Sequence, residues 1–387
     1  MIEKTLQGGP RYWIWLAGLA TVSGLGLLIF ALQQREGLVV TGMSRDVSWG
    51  LYIAQLTFFV GVAASAVMVV LPYYLHDHEV FGKITILGEF LAIPAVLLSM
   101  LFVVVDMGQP FRLTNVLFYP SPKSPMFWDT VALAGYLALN VVIGWKSLDS
   151  ERNGVKPPGW LKPFIYLSIP WAVSIHTVTA FLYCGLPGRG YWFTAIMAPR
   201  FLASAFAAGP ALLILLVLVV RKLTSFDVGE RAIRSLARIV TYAMLLNVFF
   251  LLLEVFVVFY SGMTHHQLSF RYLYWGLGEI NHWVPFMWSS AIMAVVSLVL
   301  LINPAARNDP RYLPWAAALV VLAIWIDKGI GMIVGGFTPS PLGDVTPYVP
   351  TLPEIGMVVA LYALGALVLT VLYNMAIQVK KATARRA

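Results

Sequence analysis

Residues 99–129 read SMLFVVVDMGQPFRLTNVLFYPSPKSPMFWD. An apolar run ends in Asp106, and Gly108, Pro110 and Arg112 follow at once. An aromatic loop with three more prolines (Pro120, Pro122, Pro125) closes at Trp128 and Asp129. A carboxylate attached to an apolar span is expensive in lipid, and such a residue is a functional-site hypothesis by default. Its meaning turns on which polar groups share its depth.

The surrounding composition supplies the lipid. Of 387 residues, 59% are hydrophobic and 11% are charged, against about 25% charged in soluble domains. The expected class is an all-α, polytopic integral membrane protein. A net charge of +8 is then the signature of Lys and Arg flanking helices on the cytoplasmic side, with no nucleic acid partner. The single cysteine, Cys184, excludes an internal disulfide, an iron–sulfur cluster and a Cys-rich zinc site within the chain. The N-terminal MIEKTLQGGPRYW leads into an apolar run without a small-x-small cleavage pattern, so a retained first helix is expected.

A helix needs about 20 apolar residues to cross a bilayer. Ten segments qualify: Tyr12–Leu32, Trp49–Leu75, Ile84–Asp106, Phe127–Trp145, Phe164–Cys184, Phe201–Val220, Ile239–Tyr260, His282–Ile302, Leu313–Ile333 and Pro353–Ile377. No soluble domain or linker interrupts them, so residues 1–387 read as one transmembrane domain. An even number of spans puts both termini on one side. Most of the basic residues gather there, including Lys4, Lys83, Lys146, Lys156, Lys162, Arg221, Lys222, Arg231, Arg307, Lys380, Arg385 and Arg386. That side is expected to be cytoplasmic, in the cytoplasmic (inner) membrane. The outer loops are rich in Gly, Pro, Trp and Tyr, which fits an interfacial aromatic belt or a docking surface for another protein.

Orientation assigns depths. Asp106, Trp49, Tyr52, Gln55, His176, Glu254, Asp327 and Lys328 all fall in the outer half, and Glu89 lies near the inner end of its helix. Tyr52 and Gln55, three apart, share a helix face. Each has a structural alternative. Asp106 caps its helix or pairs with Arg112. Asp327 neutralises Lys328 or Arg200. His176 is a packing histidine. Glu254, inside LLLEVFVV, requires a partner or a wet cavity. His265 and His266 read as outer-loop residues, His76 and His78 as inner-loop residues, and His282 and Glu279 as interfacial. Pro72, Pro94, Pro170, Pro210 and Pro285 are expected to interrupt helices.

A membrane b-type haem needs two deep histidines. Among the 6 present only His176 is deep, and no CxxCH attachment site occurs. No haem is expected, which leaves a bound quinone as the electron carrier within the chain.

The stretch from Val104 to Asp129, the stretch SIHTVTAFLYCGLPGRGYWFTAIMAPRFLASAFAAGPAL from Ser174 to Leu212, and SWGLYIAQLTFFVG from Ser48 resemble the NrfD/PsrC-like family of quinone-interacting membrane subunits. Ten helices resemble the branch that holds the hydrogenase-2 membrane subunit, the alternative complex III subunits and DsrP, with DsrP the first expectation. The resemblance covers nearly the whole chain. It implies two four-helix bundles plus two extra helices. It implies a haem-free subunit passing electrons between the menaquinone pool and a ferredoxin-like iron–sulfur subunit on the outer, periplasmic face. Further membrane and cytochrome subunits and sulfur- or sulfite-linked respiration are implied as well. By position, Asp106 and His176 match the polar residues of the family's quinol pocket, Tyr52 and Gln55 more loosely. Trp49, Tyr183 and Arg200 complete the expected quinone-binding set. His176 and Asp106 are the expected proton acceptors. The rival reading is a secondary transporter or a redox-coupled proton-translocating subunit, with Glu89, Glu254, Asp327 and Lys328 as its path.

Overall fold

A computed structural model describes residues 8–75 and 79–384. Lys4, His76, His78, Arg385 and Arg386 lie outside the described residues. Ten helices are long and apolar enough to cross a membrane: α1 (Pro10–Glu36), α2 (Leu51–Tyr74), α3 (Gly82–Asp106), α4 (Pro125–Asn153), α5 (Leu161–Cys184), α6 (Met197–Leu223), α7 (Glu230–Tyr260), α8 (Val284–Ile302), α9 (Leu313–Phe337) and α10 (Leu352–Thr383). No strand occurs among the described residues. The fold is that of an all-α polytopic membrane protein.

Helices α2–α5 form one bundle, in which α2 packs on α3 and α5, and α4 packs on α3 and α5. Helices α6–α9 form a second, with α6 against α7 and α9, and α8 against α7 and α9. Helix α2 joins them by packing also on α6 and on the middle of α9. The remaining two helices, α1 and α10, pair with each other, and α10 lies along α3 and α4. Lipid gives no hydrophobic drive for apolar helices to associate, so close packing through small residues takes over. The run FLASAFAAGPA in α6 supplies such a surface, and Ala203, Ala205, Ala207 and Ala208 are buried there. In α2, 89% of the most apolar window is buried, against 6% in α1. Helix α2 is therefore the axis of the molecule, and α1 a lipid-facing strap.

Four of the expected prolines, Pro72, Pro94, Pro170 and Pro210, lie inside helices. Pro285 does not interrupt one. It stands in the first turn of α8, which begins at Val284 instead of His282, where a missing N–H costs nothing. Helix α9 carries an irregularity of a different kind: residues Trp325–Gly331 form a π-helical turn. Such widened turns are frequent at functional sites. Alternation of the spans puts the start of α1 and the end of α10 on one face, here the terminus face, and the ends of α1, α3, α5, α7 and α9 on the opposite, loop face.

Candidate functional site

The last residue of α3, Asp106, sits where the loop-face ends of α1, α2, α3 and α10 converge. Gln33 of α1 is buried and donates from Nε2 to the carbonyl of Val105 at 2.5 Å. Its Oε1 accepts the Tyr52 hydroxyl at 3.0 Å. Glu354, in the first turn of α10, is fully buried. It accepts the backbone N–H of Leu51 at 2.9 Å, that of Gly42 at 3.1 Å and the Tyr348 hydroxyl. No side chain caps α2 from within, so this carboxylate serves as its cap and meets the positive end of the helix dipole. Gly50 makes the approach possible, since a Cβ there would lie 2.5 Å from Tyr348 Oη and 2.7 Å from Glu354 Oε1. Asp106 and Glu354 lie within electrostatic range of each other. Against this fully bonded surround, Asp106 Oδ1 is buried with no hydrogen-bond partner. None of the ion pairs among the described residues joins it to Arg112.

One turn further along α2, Gln55 Oε1 accepts two donors: Trp325 Nε1 at 2.8 Å and the Tyr362 hydroxyl at 2.5 Å. Tyr52, Gln55 and Phe59 share one side of α2, and Phe59 packs on Phe102 and Tyr362. The other side of α2 carries Thr57 and Gly61. There Thr57 and Tyr183 share a hydroxyl–hydroxyl hydrogen bond of 2.5 Å. Trp49 stacks on Trp192 at 5.6 Å and meets Tyr183 and Phe337 edge-on.

Below this aromatic group His176 is fully buried. Its Nε2 lies 2.7 Å from the Phe201 carbonyl and 2.7 Å from Lys328 Nζ, while its Nδ1 has no partner. Lys328 Nζ also donates to the Phe201 carbonyl at 3.3 Å and sits 4.5 Å above the Phe201 ring. Gly61 faces this pair, and a Cβ there would lie 3.1 Å from Lys328 Nζ. The neighbouring Asp327 points elsewhere. Arg200 donates to its two oxygens at 3.1 and 2.9 Å and also to Glu254. Of the two partners expected for Asp327, Arg200 is the one that pairs with it, and Glu254 obtains the partner that its apolar setting requires.

Glu89 stands far along α3 from these groups. It is buried, and neither carboxylate oxygen has a hydrogen-bond partner among the described residues. It lines a cavity of about 1140 Å³ on the terminus face.

The expected site residues thus fall into distinct groups around α2. Asp106 and Tyr52 lie on one side, tied together through Gln33 and the end of α3, His176, Tyr183 and Trp49 lie on the opposite side of α2, and Gln55 bridges to α9 and α10. No hydrogen bond or ion pair among the described residues joins Asp106 to His176. Arg200 is committed to its two carboxylates. Gln33, Glu354, Tyr348, Trp325 and Tyr362 are absent from the set that the sequence suggests. Glu354 carried the same signal as Asp106, an acid at the margin of an apolar run. No group of three or more His, Cys, Asp or Glu arranged for a metal occurs among the described residues.

Comparison with known proteins gives the chain its relatives. A putative dimethyl sulfoxide reductase membrane subunit from Halobacterium salinarum is 26% identical, over 92% of this chain and 88% of that protein. The Hdr-like menaquinol oxidoreductase integral membrane subunit of Archaeoglobus fulgidus is 22% identical, over 95% and 94%. The menaquinone reductase integral membrane subunit of Nitratidesulfovibrio vulgaris is 22% identical, over 94% and 91%. The family model described as polysulphide reductase, NrfD, matches residues 39–336. This chain therefore belongs to the polysulphide reductase NrfD family.

Proposed function

We propose that the chain is the quinone-interacting membrane subunit of a multi-subunit redox complex, with its quinone site at Asp106. The unpartnered, buried Asp106 Oδ1 carries this reading. A buried acceptor without a partner calls for an explanation, and a hydroquinone hydroxyl is a donor of the right kind for a site at the lipid boundary. When bound, the quinone supplies two-electron, two-proton chemistry. Asp106 accepts the hydroxyl hydrogen. Tyr52, held by Gln33, and Glu354, held at the start of α2, fix the groups around Asp106. Exposed apolar groups on the following loop, Phe111, Leu117, Phe118 and Tyr119, suit an entry for an amphiphile or a seat for a partner. The relatives whose names include menaquinol or menaquinone support menaquinone as the quinone.

Finer points of the same reading are a ferredoxin-like iron–sulfur partner on the loop face, placement in the cytoplasmic membrane with cytoplasmic termini, and sulfur-linked respiration of the DsrP type. A second reading, redox-coupled proton movement, is favoured by one observation. The π-turn of α9 sends consecutive residues to two different polar groups: Asp327 to Arg200 and Glu254, Lys328 to His176. Glu89 is outside this chain of contacts. The test is photolabelling of the purified complex with a photoreactive menaquinone analogue. Adducts on peptides containing Gln33, Asp106 or Glu354 support the site. Adducts confined to the His176 side of α2 overturn it.

A further inference from the structure

The cavity on the terminus face has a charge pattern that the redox reading does not use. It is lined by Lys83 at the start of α3, Lys156 and Lys162 around the start of α5, and Lys380 near the end of α10. Two carboxylates line it as well, Glu89 and Glu151. Lys380 and Glu151 satisfy each other at 2.9 Å. No ion pair among the described residues involves Lys83, Lys156 or Lys162. The cavity therefore holds ammonium groups without ion pairs at its rim and, in its wall, a carboxylate without a hydrogen-bond partner, Glu89, which lies within electrostatic range of Lys380. Glu89 is 2% exposed, and both its oxygens lack a partner.

A ligand complementary to that pattern carries a phosphate and a primary ammonium on one short linker. Lys83 and Glu89 are separated by about 9 Å along α3. The rim lysines and Glu89 thus stand at different depths of one cavity, as a phosphate near the surface with an ammonium below it requires. Basic pockets between helices at the membrane surface bind lipid headgroups, and charge-assisted hydrogen bonds are the strong ones. We propose that the cavity lined by Lys83, Lys156, Lys162 and Glu89 binds the headgroup of an aminophospholipid, its phosphate on the lysines and its ammonium on the Glu89 carboxylate. A purely anionic lipid would leave Glu89 unpaired and face its charge. A choline headgroup offers no N–H to it.

The experiment is native mass spectrometry of the purified, delipidated complex titrated with phosphatidylethanolamine, phosphatidylglycerol and phosphatidylcholine of identical chains. The expected result is about tenfold tighter binding of phosphatidylethanolamine than of either other lipid, the loss of one charge-assisted hydrogen bond being of that order. Glu89→Gln keeps the shape and should abolish the preference over phosphatidylglycerol. Lys83→Ala with Lys162→Ala, both at exposed positions, should weaken both of these lipids together. Equal binding of phosphatidylethanolamine and phosphatidylglycerol by the wild type, or an unchanged preference in Glu89→Gln, overturns the proposal. If glycerophosphoethanolamine binds as tightly as the lipid, the ligand is a soluble phosphoethanolamine and the lipid assignment is overturned.

Discussion

Lys328 Nζ and His176 Nε2 meet at 2.7 Å in the buried space between α9 and α5, with the Phe201 carbonyl beside both. Two nitrogens at that separation share one hydrogen, so one of them accepts. The pair is therefore a proton donor and acceptor held together, next to an unpartnered His176 Nδ1. Lys328→Met removes the exchangeable hydrogen but keeps the apolar stem. On the proton-movement reading, quinol turnover in this variant falls about 10²-fold, in the range of a lost acid–base group, while subunit assembly is unchanged. Wild-type turnover and proton release in Lys328→Met contradict that reading.

Arg200 lies between Glu254 and Asp327, and all three are at or near full burial. Removing one member of such a group leaves charge uncompensated, at a cost of about 3–5 kcal/mol. Arg200→Leu strands two carboxylates and is expected to lower the yield of folded protein and its thermal midpoint sharply. Glu254→Gln still leaves Arg200 paired with Asp327 and should cost less. Thermal unfolding followed by thiol labelling at Cys184 measures both. An Arg200→Leu protein as stable as Glu254→Gln contradicts the ion-pair account.

Two glycines of the α2 region predict different outcomes. At Gly50 a Cβ meets Tyr348 Oη and Glu354 Oε1, both fixed by the cap of α2. Gly50→Ala should therefore displace the cap, and the loss of such a cap costs about 1 kcal/mol or more. At Gly61 the contact is the flexible end of Lys328. Gly61→Ala should leave the cap of α2 intact and instead push Lys328 away from His176, so its main effect should be on turnover. Wild-type turnover in Gly61→Ala, or wild-type stability in Gly50→Ala, counts against this assignment.

His266 lies in the short helix Thr264–Tyr274 that joins α7 to α8, against Gly190. Partial burial lowers its pKa below the usual histidine value, and His265 lowers it further. A histidine held neutral in the folded state contributes stability above its unfolded pKa of about 6.5, and that contribution is lost as pH falls through the lower folded value. Hydrogen exchange in residues 185–200 should accelerate as pH is lowered from about 7 to about 5, after correction for intrinsic rates, and His266→Gln should flatten that response. A wild-type profile without pH dependence refutes the assignment.

Much of this fold was legible from hydropathy, because each span is a local property of about twenty residues. The even number of helices and the loop-face depth of Asp106, His176, Glu254 and Lys328 followed from that. Glu254 also declared its need for a partner by its apolar neighbours, and Arg200 was already one of two candidates for Asp327. What stayed hidden depends on lateral packing. Glu354 reaches Leu51 across 303 residues of chain, and Tyr362 reaches Gln55 across 307. No local pattern specifies which helix lies beside which. The same gap applies to Asp106 and His176: hydropathy gives their shared depth, and only packing shows that α2 lies between α3 and α5. The π-turn at Trp325–Gly331 was equally hidden, since its sequence reads as ordinary helix.

Asp106 is the acceptor on which the proposed quinone site depends. Its most direct test is steady-state menaquinol oxidation by the purified complex carrying Asp106→Asn, with polypeptide and cluster content checked to match wild type. The amide retains the size of the carboxylate but loses its basicity. Turnover should fall by about 10²-fold or more, with electron transfer from an artificial donor to the partner subunits unchanged. Menaquinol turnover equal to wild type in a fully assembled Asp106→Asn complex would contradict the account.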